Sequence, residues 1–386
     1  MDLKTIDQTY IANTYARFPV EIVSGKGSEV FDETGKRYID LTSGIGVTAF
    51  GVADEEWVKA VTEQLCKVQH MSNLFYTAPD AMLAQMLCER TGMKKVFFAN
   101  SGAEANECAI KVARKYAAET KGADTYTILT LVNSFHGRTL ATLSATGQEH
   151  YHELFQPLVP GFVHTPANDL EALKAAAKEH KLAAVMLECV QGEGGVVPLE
   201  PEFVKGAAAL CKENDIVLII DEVQTGNGRT GTLYAYQQFG IQPDLVSTAK
   251  GLGGGLPLGA CLMGEKVQDV LKPGDHGSTY GGNPVACAGA LNVLSRIDDQ
   301  LLKEVQEKSQ YLIDVFSAAD GIESVTGMGL MLGLKTKKDA KEILAACREK
   351  GVLALTAKDK IRLLPALNIP MELVKEAAAV IIDACK

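Results

Sequence analysis

The chain reads Ile216-Val217-Leu218-Ile219-Ile220-Asp221, a continuous apolar run that ends in a carboxylate. Such a run without alternation is typical of a strand that is buried on both faces, as in a parallel sheet. A helical pattern precedes it over residues 201–214, where Pro201 suits the first turn. This stretch therefore predicts one repeating unit of an α/β fold.

The same alternation of strand and helix extends outward in both directions. Further strands are predicted over residues 96–99, 125–132, 183–187 and 243–248. A helix follows the first of them, because Ser101 and Glu104 fit a capping box and apolar residues then recur at helical spacing. Continuous apolar strands that alternate with helices predict an α/β fold with a mostly parallel central sheet.

The last hundred residues have a different pattern. They predict helices over 301–316, 339–350 and 372–385, and strands over 325–331, 352–355 and 361–364. A hairpin is predicted over residues 29–41, and it could join this C-terminal α+β part. We therefore expect an N-terminal segment (1–45) and a C-terminal part (289–386) to form a small domain, with a large domain over 46–288 between them.

Composition excludes several classes of protein. The 386 residues include 38 Lys+Arg and 48 Asp+Glu, a formal net charge of −10, so nucleic acid or an anionic membrane surface is not the expected partner. No apolar stretch approaches the ~18 residues of a membrane span, and the first residues lack the apolar core of a signal peptide. The nine cysteines form no CxxC pair, so we expect free thiols, a cytoplasmic location and no metal. His150 and His152 are expected to be surface or cap residues.

Polar residues at strand ends are the first candidates for a site, because ligands bind beyond the carboxyl ends of parallel strands. The small residues Ser101, Gly102 and Ala103 open a helix, where backbone N–H groups can bind phosphate, although a well-capped helix would look the same. Asp221 needs a cation if it is buried, and a protonated pyridinium nitrogen would serve. A solvated loop start is the alternative for Asp221.

A lysine follows another strand in Ser247-Thr248-Ala249-Lys250-Gly251-Leu252-Gly253-Gly254-Gly255. A desolvated lysine can act as an amine nucleophile and form a Schiff base, and the glycines leave room for a ligand. A nucleotide loop is the rival interpretation, as in a nicotinamide-dependent dehydrogenase. The chain has neither G-x-G-x-x-G between strand and helix nor GxxxxGK[ST], so both nucleotide patterns are weak.

Two more loops complete the set of candidates. Phe135 could stack on a flat ring, and Arg138 could bind a carboxylate through its planar fork. Ser278 and Thr279 lie among glycines, where hydroxyls suit phosphate contacts. Taken alone, Arg138 could equally be an ordinary surface arginine, and the segment with Ser278 and Thr279 could be an ordinary loop. A small-residue helix start for phosphate, an aromatic for a ring, Asp221 for a pyridinium and Lys250 for an imine are together the parts that a pyridoxal-phosphate enzyme requires.

The sequence resembles the class III aminotransferases, pyridoxal-phosphate enzymes of fold type I, nearly end to end. The Asp221-to-Lys250 spacing with both flanks carries most of the resemblance, and the other matching segments are 13–19, 40–47, 133–139, 188–195 and 361–367. Segment 133–139 and the short total length favour the branch of the family that acts on N²-acetylornithine. Where many relatives carry Gly-His-x-His-Pro, this chain reads Gly51-Val52-Ala53-Asp54-Glu55-Glu56-Trp57, outside the expected cofactor contacts.

The resemblance implies a role for each matching residue. Lys250 would be the catalytic lysine that holds the cofactor and moves the proton. The remaining cofactor contacts would be Ser101, Gly102, Ala103, Phe135, Asp221, Val223, Gln224 and Thr279, the last from the other subunit. The substrate contacts would be Arg138 and Ser278 for the carboxylate of the acylated amino acid, Glu193 and Arg362 as a switch pair for glutamate, and Tyr15 at the entrance.

The resemblance also implies a reaction and an assembly. The δ-amino group of N²-acetylornithine would move to 2-oxoglutarate in arginine biosynthesis, in a homodimer with shared active sites. Ornithine, succinylornithine or 4-aminobutyrate as the amine donor remains an alternative, since one sequence does not show the shape of a pocket. A non-catalytic regulator on the same fold is a further alternative, but such proteins usually lack the lysine or carry an added basic domain.

Overall fold

The computed structural model describes residues 2–386, which form seventeen strands and twelve α-helices. The strands are β1 (Ile22–Lys26), β2 (Glu29–Asp32), β3 (Arg37–Asp40), β4 (Lys95–Ala99), β5 (Thr127–Leu131), β6 (Phe162–Thr165), β7 (Leu182–Leu187), β8 (Val190–Gln191), β9 (Val197–Pro198), β10 (Val217–Asp221), β11 (Leu245–Thr248), β12 (Gly259–Met263), β13 (Ile322–Met328), β14 (Met331–Thr336), β15 (Val352–Leu353), β16 (Leu355–Ala357) and β17 (Lys360–Leu363). The helices are α1 (Leu3–Tyr10), α2 (Ser43–Gly46), α3 (Glu55–Leu65), α4 (Ala78–Thr91), α5 (Gly102–Lys121), α6 (Leu140–Ala145), α7 (Leu170–Glu179), α8 (Pro201–Glu213), α9 (Pro284–Arg296), α10 (Asp299–Ser317), α11 (Ala340–Glu349) and α12 (Met371–Cys385).

Seven strands form the main sheet in the order β4-β12-β11-β10-β7-β5-β6. The five strands from β11 to β6 are parallel to their neighbours, and only β12 runs antiparallel to β11 and β4. Every residue of β7, β10 and β12 is buried, which explains their unbroken apolar sequences. The predicted α/β fold with a mostly parallel central sheet is therefore confirmed.

Helix α5 packs across this sheet and begins at its carboxyl edge. Its buried face consists largely of small residues, among them Ala105, Cys108, Ala109 and Ala113. Small side chains let a helix approach a sheet closely, and α5 contacts β4, β7, β10, β11 and β12. The N-terminus of α5 is thereby fixed beside the ends of the central strands.

A second sheet, β13-β14-β17-β16, is built from the C-terminal part of the chain and is antiparallel throughout. The strand predicted over 325–331, broken by glycines, belongs to two strands, because the chain turns at Gly329 and Leu330 between β13 and β14. A Cβ on Gly329 would lie 2.5 Å from the Arg229 carbonyl oxygen, and its φ is +57°. The predicted strand 352–355 likewise divides into β15 and β16, which belong to different sheets.

The two ends of the chain meet in a third sheet of order β1-β2-β3-β15. The predicted hairpin is confirmed as the antiparallel pair β2 and β3. Strand β3 then pairs in parallel with β15, Ile39 opposite Val352. This pairing supports the proposed small domain formed by both ends of the chain, whose boundaries at 45/46 and 288/289 remain a proposal.

The nine cysteines are free thiols, and seven of them are buried. His150 is exposed, and His152 caps the end of the short 3₁₀ turn Glu149–Tyr151, so both are the surface or cap residues that were expected. The ring of His152 is buried, with Nε2 2.9 Å from the Leu143 carbonyl oxygen, because the turn after α6 folds back over the end of the helix. No helix within residues 2–386 has the length and apolarity of a membrane span.

Candidate active site

A cavity of about 610 Å³ opens at the carboxyl edge of the main sheet, beside the N-terminus of α5. Its walls come from the loops that follow β5, β7, β10 and β11. Ligands of parallel sheets bind beyond the carboxyl ends of the strands, which we call the strand-end rule, and the cavity lies at that edge. Nine of the residues singled out from the sequence line this one space: Ser101, Gly102, Ala103, Phe135, Arg138, Asp221, Val223, Gln224 and Lys250. Residues far apart in the sequence are thus brought together as expected.

The start of α5 is shaped to receive an anion. The Ser101 hydroxyl accepts a hydrogen bond from the Glu104 N–H, while Glu104 accepts from the N–H of Asn100 rather than of Ser101. The first turn of a helix has free N–H groups that favour negative charge, and Gly102 and Ala103 lie there. A Cβ on Gly102 would lie 2.6 Å from Cγ1 of Val223, so only glycine allows this approach.

Asp221 ends β10 and is buried at the base of the cavity. Its Oδ2 accepts a hydrogen bond from the Asn106 amide and lies 2.8 Å from His136 Nδ1, while Oδ1 accepts from the Val223 N–H. The Nε2 atom of His136 is buried and has no hydrogen-bond partner within the described chain. These contacts fix the carboxylate in a water-poor setting, where a pyridinium cation is a fitting partner.

Lys250 follows β11 and begins a short 3₁₀ turn, with a left-handed φ of +48°. A non-glycine residue in this region is strained, which is frequent at functional sites. Burial lowers the pKa of the Lys250 amine, although the nearby carboxylates of Glu193 and Asp221 act in the opposite direction. The neutral amine, which is the nucleophilic form, is thereby made more accessible.

The glycine-rich loop after Lys250 is covered by Trp57. The Trp57 indole Nε1 donates a hydrogen bond to the Gly253 carbonyl at 3.2 Å. A Cβ on Gly254 would lie 2.6 Å from the same nitrogen, so the glycines here serve close packing. The unusual 51–57 segment therefore packs against the glycine-rich loop after Lys250 through Trp57, although it does not line the cavity.

Arg138 lies between two aromatic rings at the rim of the cavity. Its guanidinium carbon is 5.6 Å from the centre of the Phe135 ring and 4.3 Å from that of Tyr151. The two rings meet edge to face, with centres 5.9 Å apart. Arg138 is exposed and forms no ion pair in the part of the chain that the structure describes. Its charge is thus held in place and is available for a substrate carboxylate.

Arg362 and Glu193 form the ion pair that the resemblance led us to expect. Arg362 is 3% exposed, and its Nη1 donates to Glu193 Oε1 and, at 3.2 Å, to Gln224 Oε1. Gln224 in turn lies within 3.4 Å of Glu193 through its amide nitrogen. Burial raises the pKa of Glu193, but the attraction of Arg362 outweighs it, so the pKa of this carboxyl lies below its usual value.

Five expected site residues do not line the cavity of their own chain: Glu193 and Arg362, which form their ion pair beside Gln224, and Ser278, Thr279 and Tyr15. Tyr15 is 70% exposed and lies under the guanidinium of Arg17. Thr279 is exposed, and Ser278 accepts hydrogen bonds from the Asn100 amide and the Gly281 N–H beside the cavity. The structure thus places Ser278 near the cavity and leaves Thr279 and Tyr15 outside it.

Several polar neighbours of the site were not found from the sequence: Asn106, His136, Tyr151 and Glu188. Glu188 had a usable signal, because it directly follows the apolar strand β7 just as Asp221 ends β10. His136 lay inside a quoted loop but was given no role. Asn106 and Tyr151 carry no pattern that would mark them, because their contacts are made only across the fold.

Together, an anion-binding helix start, a buried aspartate, a stacking aromatic and a buried lysine fit pyridoxal phosphate, and they define a fold type I enzyme of that cofactor. Residues 10–385 match the family model described as Aminotransferase class-III. The chain belongs to the class III aminotransferases and is a pyridoxal-phosphate-dependent transaminase. The alternatives of a nicotinamide dehydrogenase and a non-catalytic regulator are therefore wrong.

Individual aminotransferases resemble this chain over nearly its whole length. An acetylornithine aminotransferase of Haemophilus ducreyi is 50% identical over 381 residues, which covers 98% of this chain and 97% of that protein. A second, from Caldanaerobacter subterraneus, is 43% identical and covers 98% of both chains. Among solved structures, an ornithine aminotransferase from Toxoplasma gondii has a TM-score of 0.95 at 31% identity, with 99% and 94% of the two chains covered. An N-acetylornithine aminotransferase from Stenotrophomonas maltophilia has a TM-score of 0.86 at 37% identity, with 99% and 98% covered.

Proposed function

We propose that the chain moves the δ-amino group of N²-acetyl-L-ornithine to 2-oxoglutarate, giving N-acetyl-L-glutamate 5-semialdehyde and L-glutamate, in arginine biosynthesis. The observation that carries the proposal is the pair of unlike guanidinium sites. Arg138 is exposed and unpaired among the described residues, whereas Arg362 is buried and paired with Glu193. One site suits a donor with a single carboxylate, and the other suits an acceptor that brings a second one.

The names of several relatives at 42–50% identity over nearly the whole chain support the same donor. When bound, pyridoxal phosphate supplies the electron sink that allows an amino group to be exchanged between two carbon atoms. Asp221 would hold the positive charge of the ring nitrogen, while Phe135 and Val223 would pack on the two ring faces. The N–H groups of Gly102 and Ala103 would bind the phosphate, and Gln224 would approach the phenolic oxygen.

Lys250 would be the acid and base of the reaction. Its Nζ atom would take the proton from the carbon that bears the amino group of the donor, and later return a proton to the carbon of the acceptor. Burial lowers the pKa of the amine, so the neutral form needed for the first step is more accessible than in a solvent-exposed lysine.

Glu193 and Arg362 would act as the switch between the two substrates. While acetylornithine reacts, Glu193 neutralises Arg362. The donor carboxylate therefore binds at Arg138 and not at the buried guanidinium of Arg362. When 2-oxoglutarate enters, its α-carboxylate replaces Glu193 at Arg362. Arg138, with Ser278 nearby, binds the remaining carboxylate of either substrate.

We also propose a homodimer with shared active sites. Leu74, Phe75 and Tyr76 are exposed apolar side chains, and so is Tyr280. The amide of Asn73 donates to the Ser278 and Gly281 carbonyls, so both exposed segments lie side by side at the cavity mouth. A second copy that covers this surface would receive Thr279 into its own cavity and bring Tyr15 to an entrance.

A cytoplasmic location is part of the proposal. It is supported by the nine cysteines, all of which are free thiols in the structure. Free thiols on this scale persist in a reducing compartment.

Ornithine, succinylornithine and 4-aminobutyrate remain the competing donors, and the likeness to an ornithine aminotransferase favours keeping ornithine among them. The test is a set of half-reactions of the purified holoenzyme with each amine, followed by the loss of the visible absorption of the bound cofactor. We expect the highest kcat/KM with acetylornithine and no turnover in Lys250→Ala. Higher kcat/KM for ornithine or 4-aminobutyrate would contradict the proposed substrate.

A further inference from the structure

Glu188 is a buried carboxyl in the cavity wall that takes no part in the proposed reaction steps. It follows β7 directly and is 5% exposed. Its Oε1 accepts a hydrogen bond from the Phe135 N–H at 2.9 Å, and its Oε2 accepts from the Gly192 N–H at 3.3 Å. Each oxygen therefore holds the backbone of a different loop.

These two loops carry different parts of the substrate site. The loop after β5 contains Phe135 and Arg138, and the segment after β7 continues through β8 to the turn that contains Glu193, the partner of Arg362. Strands β5 and β7 are neighbours in the main sheet, so the loops leave the same edge side by side. One carboxylate thus joins the backbone of the loop that carries Arg138 to that of the turn that carries Glu193.

The surroundings of Glu188 disfavour the ionised form of its carboxyl, so a contribution to folding stability does not explain the residue. Burial raises the pKa of this carboxyl to about 7, and Asp221 adds to the effect, while His136 and the two N–H donors oppose it. Lys250 is the other charged group that faces it. Buried charges contribute little net stability compared with uncharged residues of similar size, so a role in the site is the better explanation.

We propose that Glu188 is a positioning residue that couples the two substrate-binding loops and sets the spacing between Arg138 and Glu193. The inference rests on the proposed roles of those two residues. It deepens the proposed function by making the binding of both substrates depend on one carboxylate that touches neither of them.

Glu222 offers a closely matched control. It is also buried, and burial raises its pKa to about 7 as well. Its oxygens accept from the Tyr236 N–H and the Thr225 hydroxyl, so it also makes two hydrogen bonds. Unlike Glu188, it does not line the cavity. A change that acts through burial alone would affect both glutamates equally.

The experiment compares the holoenzymes of wild type, Glu188→Gln and Glu222→Gln. Glutamine keeps one acceptor but turns an NH₂ group toward the second N–H, so one of the two loop contacts is lost. In Glu188→Gln we expect KM to rise about tenfold for both the amine donor and 2-oxoglutarate, with a smaller change in kcat. In Glu222→Gln both KM values should stay within about twofold of wild type.

The pH dependence supplies a readout that a merely structural role would not change. Protonation of Glu188 has the same effect as the glutamine substitution, so KM for 2-oxoglutarate should rise in wild type as the pH falls from 8 to 6. This rise should be absent in Glu188→Gln and present in Glu222→Gln. The comparison isolates Glu188 from His136, Asp221 and Lys250, which are the same in every variant.

Unchanged KM values in Glu188→Gln, or a rise for only one substrate, would overturn the coupling, as would a pH dependence that persists in that variant. If Glu188→Gln does not yield folded holoenzyme, Glu188→Asp replaces it, since a carboxylate one methylene shorter does not reach both N–H groups. If the wild type does not use acetylornithine, the proposed function fails, while the coupling is still tested with glutamate and the best amine.

Discussion

The guanidinium carbon of Arg138 lies 4.3 Å from the centre of the Tyr151 ring, closer than to any other aromatic ring it contacts. Tyr151 belongs to a short 3₁₀ turn and is partly buried. A cation over an aromatic face is held by about 1 kcal/mol, which restricts a side chain that would otherwise move freely in solvent. Tyr151 therefore has a direct effect on where a substrate carboxylate is bound.

Replacement of Tyr151 by leucine should weaken selection for the carboxylate of the donor. We expect the preference for N-acetylornithine over N-acetyl-1,4-diaminobutane, which lacks the carboxylate, to fall about fivefold in kcat/KM. Tyr151→Phe should retain the preference, because the ring face is kept. Tyr126→Leu, which removes a similar contact with Arg114 at 5.9 Å, is the control and should not alter it.

Replacement of Gly102 by alanine should reduce the affinity for pyridoxal phosphate. The added Cβ would lie 2.6 Å from Val223, so the start of α5 or the ring-packing valine must shift, at about 1–3 kcal/mol. We expect the Kd of the cofactor, measured by fluorescence quenching, to rise about tenfold or more. At Gly277 a Cβ meets nothing within 4 Å, so Gly277→Ala should leave the Kd unchanged, and an equal effect of both changes would contradict the argument.

Replacement of Glu193 by glutamine should free the buried Arg362 from its counter-charge. The half-reaction with 2-oxoglutarate should then show a lower KM, because its carboxylate no longer competes with Glu193 for the guanidinium. The half-reaction with acetylornithine should become slower, since Arg362 then attracts the donor carboxylate. Rapid-mixing measurements of the two half-reactions test this, and parallel changes in both would refute the switch.

Glu222 should make the free energy of unfolding depend on pH. Burial raises its pKa from 4.5 to about 7, so the folded chain binds this proton more tightly than the unfolded chain does. Stability should therefore fall as the pH rises from 4.5 to 7, by about 3 kcal/mol at most. Glu222→Gln removes this contribution, so its advantage over wild type in denaturant titrations should be larger at pH 8 than at pH 5. A stability difference between Glu222→Gln and wild type that does not change with pH would contradict a raised pKa of Glu222.

The strand-end rule was sufficient to find Asp221 and Lys250, because each follows a buried apolar strand whose pattern is plain in the sequence. It would have found Glu188 as well, had the same rule been applied after β7. Tyr151 lay beyond sequence reasoning, since its contact with Arg138 depends on how the turn after α6 folds back. The hairpin at Gly329 was missed because glycines within an apolar run indicate either a broken strand or a turn, and only close packing against Arg229 distinguishes them.

Trp57 is the only tryptophan of the chain, and it packs against the loop that follows Lys250. Its emission therefore comes from one place, a few residues from the catalytic lysine. A bound chromophore in the neighbouring cavity would absorb that light, so intrinsic fluorescence would report cofactor loading and loop movement without an added label. The segment that departs most from the family pattern thus gives this enzyme a built-in optical probe.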